Sequence, residues 1–312
     1  MSDTATVGAE TIPSAVMASI ERYAESEAVV DGARRLTYRE LGELVLDSTR
    51  AMMAAGVGPG DRVAVWAANG IGWIVAALGA QCAGAALAPI NTRWKGSEAA
   101  YLLAASRAKV LCTSIGFLGT DTVAMLDDHA ASLPDLQRIV LLDGSDPVST
   151  SRSPGAVPVE TSSSFVAAAA SVSADAAVAR RRAVAPTDAS DVLFTSGTTG
   201  RPKGVVMTHG QTVRQFREWC EFAGLEAGDR YLIVNPFFHM FGYKAGWLAS
   251  LLHGATIFPV PVFDVPTVLS LVTRERITVL PGAPTIYRSI LDHPTRADYD
   301  LSSLREIGRA HV

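Results

Sequence analysis

Apolar and polar positions change period repeatedly along the chain, and the changes predict alternating strands and helices. Residues 13–55 read as mostly helical. A short strand-and-cap at Leu36-Thr37-Tyr38 opens ELGELVLDSTRAMMAAG, where Leu41, Leu44, Val45, Ser48 and Met52 recur at helical spacing. Gly56 supplies the C-cap and Gly58-Pro59-Gly60 the turn beyond it. From Val63 to Thr92 thirty residues carry no charge, enough by length to span a membrane. Asn69, Gly70, Gly72, Gln81, Gly84, Pro89 and Asn91 cut that run into a strand (VAVWA), a small-residue helix (GWIVAALGAQCAG) and a second strand (AALAPI). Continuously apolar strands belong to parallel sheets covered on both faces, so a buried βαβ unit is expected here, not a membrane helix.

The alternation continues through a helix at Glu98, KVLCTS, a helix at Leu126 and RIVLLD, to about residue 142. Strands and helices of these lengths predict an α/β protein with a mostly parallel sheet. Between Gly144 and Thr187 the texture becomes Ser-, Ala- and Pro-rich, as in a surface connection with one or two short helices. The expected division is therefore a first α/β subdomain at 1–143, a connection at 144–187 and a second α/β subdomain at 188–305. The second contains DVLFTS as a strand, a Gly/Thr loop, a helix from Gln211 to Phe222 and RYLIVNP as a strand. A helix at Trp247, ATIFPV as a strand, a helix at Val268, ITVLPG as a strand and a helix at Ile286 follow.

Composition narrows the functional classes. Hydrophobic residues are 48 % and charged residues 19 % of the 312, with mean hydropathy +0.22, which excludes a disordered chain. A net charge of -4 gives no electrostatic footprint for nucleic acid. The basic triplet Arg180-Arg181-Arg182 sits in an Ala-rich stretch and reads as a solvated helix face. Three scattered cysteines without a Cys-x-x-Cys pair argue against a disulfide framework or a structural zinc site, and no metal-ligand set is expected. The first residues lack the basic and apolar regions of a signal peptide, so a cytoplasmic location without an integral membrane segment is expected.

The chemistry concentrates in DVLFTSGTTGRPKG, Asp191 to Gly204. An apolar strand runs into Thr195, Ser196, Gly197, Thr198, Thr199 and Gly200, with Lys203 just beyond. Glycines let backbone N–H groups turn toward an anion, the hydroxyls add donors and the lysine supplies charge, so the loop is built to grip phosphate. It is not a Walker A loop, because Lys203 follows Pro202 and precedes Gly204. A second constellation is NPFFHMFGYK, Asn235 to Lys244, which follows a strand, where α/β sites tend to lie. There His239 has either a packing role or a functional one, and Phe237, Phe238 and Phe241 are pocket wall or core. In ITVLPGAPTIY, Gly282 allows close approach and Pro284 starts a helix.

FTSGTTGRPKG resembles the phosphate-loop signature of the adenylate-forming superfamily, which includes acyl-CoA synthetases, luciferases and peptide-synthetase adenylation domains. Leu36-Thr37-Tyr38 with Glu40-Leu41, Pro59-Gly60-Asp61-Arg62-Val63 and Ala83-Gly84-Ala85 running to Pro89-Ile90-Asn91 agree in order, and the resemblance extends from about Ile12 to Arg305. It implies the large N-terminal domain of that fold, ending before the mobile C-terminal lid. It also implies a reaction in which a carboxylic acid and ATP, with Mg2+, give an acyl-adenylate and pyrophosphate, and coenzyme A then displaces AMP. The stretch Thr195 to Lys203 would hold ATP phosphates, His239 would orient or shield the carboxylate, and Phe237, Phe238, Phe241, Gly282 and Pro284 would line the acyl site.

NPFFHMFGYKAG, ITVLPGAPTIY, LDHP and DLSSLR are similar to one subgroup, which activates the propanoate side chain on a bicyclic steroid remnant; Val234 and Met240 depart from its pattern. An amino-acid adenylation domain, with Asp264 as the local acid, is an alternative, as are a fatty-acid substrate and a non-catalytic nucleotide-binding fragment. The Glu that helps hold Mg2+ in that family, its adenine and ribose contacts and its lid lysine have no counterpart among these motifs. Glu306 to Val312 follows no helix or strand logic, and Ile307 to Val312 matches one reading frame of a sequencing adapter, so 306–312 is expected to be a non-native tail and the chain by itself inactive.

Overall fold

The computed structural model describes residues 10–142, 154–195 and 202–305. Contacts divide the chain into two compact units that are not contiguous in sequence. The first holds residues up to Met17, Gly42–Ala68 and Gly72–Arg214; the second holds Ala18–Leu41, Asn69–Ile71 and Gln215 onward.

In chain order the first elements are α1 (Ile12–Arg22), β1 (Glu27–Asp31), β2 (Arg34–Thr37) and α2 (Tyr38–Ala54). The helical reading of 13–55 therefore needs correction at Glu27–Asp31. EAVVD is a short apolar run bounded by a turn at Gly32 (φ 59°), and it pairs antiparallel with β2. The Leu36-to-Leu41 stretch is a capping device for α2: Glu40 Oε2 accepts from the Thr37 N–H at 2.7 Å, and Thr37 Oγ1 accepts from the Glu40 N–H at 3.2 Å.

The uncharged run folds as β3 (Arg62–Trp66), α3 (Ile71–Cys82) and β4 (Ala86–Pro89). Among the described residues no single helix is long and apolar enough to cross a membrane. Small residues in α3 permit close helix packing: a Cβ on Gly79 would lie 2.1 Å from Ser48 Oγ and 3.1 Å from the Ser48 carbonyl carbon on α2. Next come α4 (Gly96–Ser106), β5 (Val110–Thr113), α5 (Ala124–Asp127), β6 (Arg138–Leu141), β7 (Val159–Thr161), α6 (Ser162–Ala167) and α7 (Ala174–Arg182). The first unit closes with β8 (Ala189–Thr195), β9 (Lys203–Thr208) and the start of α8 (His209–Ala223).

Its sheet has the order β7-β6-β5-β3-β4-β8-β9, parallel except for the β8–β9 pair. Trp66, Ile90, Leu103, Leu111, Leu126, Ile139 and Leu141 form its core. Two features of this sheet differ from expectation. The subdomain expected at 188–305 is divided between the units, because β8 pairs with β4 and draws β9 into the first sheet. The Ser/Ala-rich connection contributes β7, paired with β6, as well as helices.

The second unit has the sheet order β10-β11-β1-β2, with β10 (Arg230–Ile233) and β11 (Thr256–Pro259) parallel to each other and β11 parallel to β1. A π-helical segment (Phe241–Leu248), α9 (Ala249–His253), α10 (Val265–Glu275) and α11 (Pro284–Leu291) complete it. Leu232, Phe258, Val268, Val272, Ile277 and Ile290 pack together. ITVLPG forms only a short parallel bridge beside β10, at Val279 and Tyr231, with main-chain hydrogen bonds from Thr278 and Val279 to Arg230 and from Leu232 to Val279; Pro281 and Gly282 at its end stop it from lengthening into a strand. Cys82, Cys112 and Cys220 are separate buried thiols, each pushed up to about 12 by desolvation.

Candidate functional site

In the first unit the phosphate-loop motif is carried by a hairpin. Strand β8 ends at Thr195 and β9 begins at Lys203, and these two exposed residues face each other in the antiparallel ladder. Ser196, Gly197, Thr198, Thr199 and Gly200 lie outside the described residues. The stem packs tightly. A Cβ on Gly204 would lie 2.9 Å from Val192 Cγ1 and 3.3 Å from Phe194 Cζ, so glycine lets β9 lie against the β8 side chains. On α4 the Tyr101 hydroxyl donates to the Pro202 carbonyl at 3.1 Å. Tyr101, Phe194, Pro202, Lys203 and Val206 border a cleft of about 650 Å³. Sequence reasoning missed Tyr101, because one tyrosine on a helix carries no motif.

The second unit holds the aromatic constellation. After β10 the chain turns through Asn235 to Met240 and enters the π-helical segment, a geometry that recurs at functional sites. Asn69 organises this turn. Its Nδ2 donates to the carbonyls of Asn235 (2.9 Å) and Val260 (3.1 Å), while its Oδ1 accepts from the Phe237 N–H at 2.7 Å. The side chain is buried, so three main-chain groups depend on one amide. Asn69 had appeared only as an interruption of an apolar run. Its position two residues before a helix gave no hint of a long-range partner.

The predicted residues separate by burial. Phe237 is fully buried and belongs to the core, so it is not an exposed pocket wall. Phe238 and Phe241 are half-buried, and Phe241 meets Trp219 of α8 edge-on, with centroids 6.2 Å apart. His239 is exposed. Its Nδ1 accepts from the Phe241 N–H at 3.3 Å, which in the neutral ring leaves the proton on Nε2, pointing away from the backbone. Asn235 Nδ2 donates to the Pro281 carbonyl at 3.2 Å and thereby brings the second predicted segment alongside the first. There Gly282 is buried with Ile286 against it, and Pro284 is exposed at the first turn of α11. Among the described residues no group of three or more His, Cys, Asp or Glu side chains could hold a metal ion.

The fold and sequence have clear relatives. The chain is 48 % identical over 297 residues to a 3-[(3aS,4S,7aS)-7a-methyl-1,5-dioxo-octahydro-1H-inden-4-yl]propanoyl:CoA ligase of Rhodococcus jostii, covering 95 % of this chain and 56 % of that protein. It is 45 % identical to the ligase of the same name from Mycobacterium tuberculosis, over 95 % of this chain and 55 % of that protein. It thus spans about half the length of these curated relatives. Among solved structures, the inhibitor-bound N-terminal domain of FACL13 from M. tuberculosis matches with TM-score 0.77 and 26 % identity, over 96 % of this chain and 69 % of that one. The anthranilate CoA ligase AuaEII, in complex with anthranoyl-AMP, shares the fold with TM-score 0.80 at 24 % identity, over 95 % of this chain and 53 % of that one. The profile of the AMP-binding enzyme family matches residues 16–311. With that match spanning both units, and with the phosphate-loop stem and the aromatic turn each built on its own sheet, the chain belongs to the AMP-binding enzyme family.

Proposed function

We propose that this chain is part of an ATP-dependent acyl-CoA synthetase. The observation that carries the reading is the 48 % identity to a propanoyl:CoA ligase over nearly the whole chain, with the β8–β9 stem where a phosphate-gripping loop is required. A carboxylate oxygen attacks the α-phosphorus of ATP, releasing pyrophosphate and leaving an acyl-adenylate. The thiol of coenzyme A then attacks the acyl carbon and releases AMP. A carboxylate is ionised at neutral pH and needs no base, so the protein's work is placement and charge stabilisation. Thr195, Ser196, Gly197, Thr198, Thr199, Gly200 and Lys203 hold the phosphates, with Lys203 opposing the charge that builds on the leaving pyrophosphate. His239 donates from Nε2 to the acid's second oxygen and leaves the first free to attack. Phe238, Phe241, Gly282 and Pro284 border the acyl chain, with Phe237 packing beneath them. Mg2+ would arrive on the nucleotide, where it screens phosphate charge.

The relatives' names favour a bicyclic propanoate as the acid, and the half-buried Phe238 and Phe241 are compatible with a fused ring. An amino acid is disfavoured by the role of Asp264. Its Oδ2 accepts from the Thr267 N–H (3.0 Å) and Oγ1 (2.7 Å) as the N-cap of α10, so the carboxylate is engaged by the helix. The test is acid-dependent ATP–pyrophosphate exchange, offering indane-type propanoates, fatty acids of several lengths and amino acids to the gene's full-length product. Exchange driven by the bicyclic acid is expected. Exchange driven best by fatty or amino acids would overturn the substrate assignment, and exchange with no acid would overturn the enzyme reading.

A further inference from the structure

We propose that Tyr101 is a positioning residue for Lys203, holding the C-terminal root of the phosphate-gripping hairpin from a third element; the inference rests on the phosphate-loop reading above. Three observations meet at this root. The ladder places Lys203 opposite Thr195. Gly204 seats β9 against Val192 and Phe194 with no room for a side chain. The Pro202 carbonyl, immediately before Lys203 and outside the strand, accepts the Tyr101 hydroxyl at 3.1 Å. The first two hold the strand from Lys203 onward, and the Pro202 carbonyl just before it is held from outside the sheet. Tyr101 supplies that restraint from α4, an element distant in sequence. Tyr101 and Lys203 line the same cleft. A cation that must meet a phosphate gains affinity when its backbone is held before the ligand arrives, because less freedom is lost on binding.

The test compares wild-type chain with Tyr101→Phe and Lys203→Ala, using inorganic tripolyphosphate as the titrant in calorimetry. Thermal unfolding and amide exchange are measured on the same samples. Tyr101→Phe is expected to weaken binding roughly three- to tenfold, the equivalent of one ordinary hydrogen bond. Its unfolding midpoint should stay near wild type, with faster exchange confined to the amides of β9, Lys203 to Thr208, and the amides of α4 unchanged. Lys203→Ala should weaken binding more. Wild-type affinity in Tyr101→Phe beside weak binding in Lys203→Ala overturns the positioning role and leaves the phosphate reading standing. A large fall in unfolding temperature, or faster exchange throughout α4, also overturns it, because the hydroxyl would then serve the fold. A wild-type chain that does not bind tripolyphosphate removes the phosphate reading and this inference with it.

Discussion

Gly242 shows how one residue decides the geometry of the aromatic turn. A Cβ there would lie 2.2 Å from the Pro236 carbonyl oxygen and 2.5 Å from that of Asn235. Both are main-chain atoms and cannot swing aside, so the return of the chain into the π-helical segment requires glycine. Gly242→Ala is expected to cost at least about 2–3 kcal/mol, read as a lower midpoint in urea unfolding; an unchanged midpoint would mean that the turn is looser than described. The presence of this turn was legible in the sequence, because NPFFHMFGYK follows the apolar strand RYLIV and breaks its pattern with Pro236 and Gly242. Its inner organisation was not. Whether Phe237 is wall or core depends on which way the turn faces, and that is set by Asn69, 168 residues away.

At the scale of elements, the four-stranded sheet of the second unit is tied to α10 by a charge cluster. Glu275, only 6 % exposed, accepts from Arg35 on β2 (2.8 and 2.9 Å), Arg230 on β10 (3.0 Å) and its neighbour Arg274 (3.1 Å). Arg35 and Arg230 also reach Glu27 on β1. Burial by itself pushes both carboxyls up; hydrogen bonds and charge from the guanidinium groups outweigh it and hold both below the usual carboxylate range. A lowered folded-state value stabilises the fold above the ordinary glutamate value near pH 4.3. That contribution is lost as pH falls through the folded value. The thermal midpoint should therefore be level from neutral pH to about pH 5 and fall below about pH 4. Glu275→Gln should cost about 1–3 kcal/mol at pH 7, less than a fully buried pair because Arg35 and Arg274 remain largely solvated. It should also flatten the acid limb, and a variant with the wild-type pH profile would show that the cluster does not couple to folding. None of this was legible in the sequence, where these charges are spread over some 250 residues without a pattern.

At the scale of the molecule, the sheet of the first unit ends at β9 among the described strands. Val205 and Val206 point to opposite faces and are 48 % and 60 % exposed, so this edge is covered on neither side. An uncovered apolar edge invites pairing with another chain. Val205→Lys is expected to lower concentration-dependent self-association of the 312-residue chain in sedimentation velocity, with the unfolding midpoint changed by no more than about 0.5 kcal/mol in stability. Self-association equal to wild type would place the contact elsewhere. The same strand explains why the expected boundary at 188 did not match the units. Local texture marked a connection, whereas the pairing of β8 with β4 decided which sheet the phosphate-loop hairpin joins.

The alternation of strands and helices, the buried βαβ unit and the two chemical motifs followed from local pattern, because hydrophobic period and glycine-hydroxyl-lysine spacing are properties of neighbouring residues. The interleaving of the two units, the inward Phe237, the Asn69 amide, the Tyr101 hydroxyl and the Glu275 cluster followed only from tertiary structure. Each depends on a partner brought near by sheet pairing, and no local period encodes which distant strand will be the neighbour.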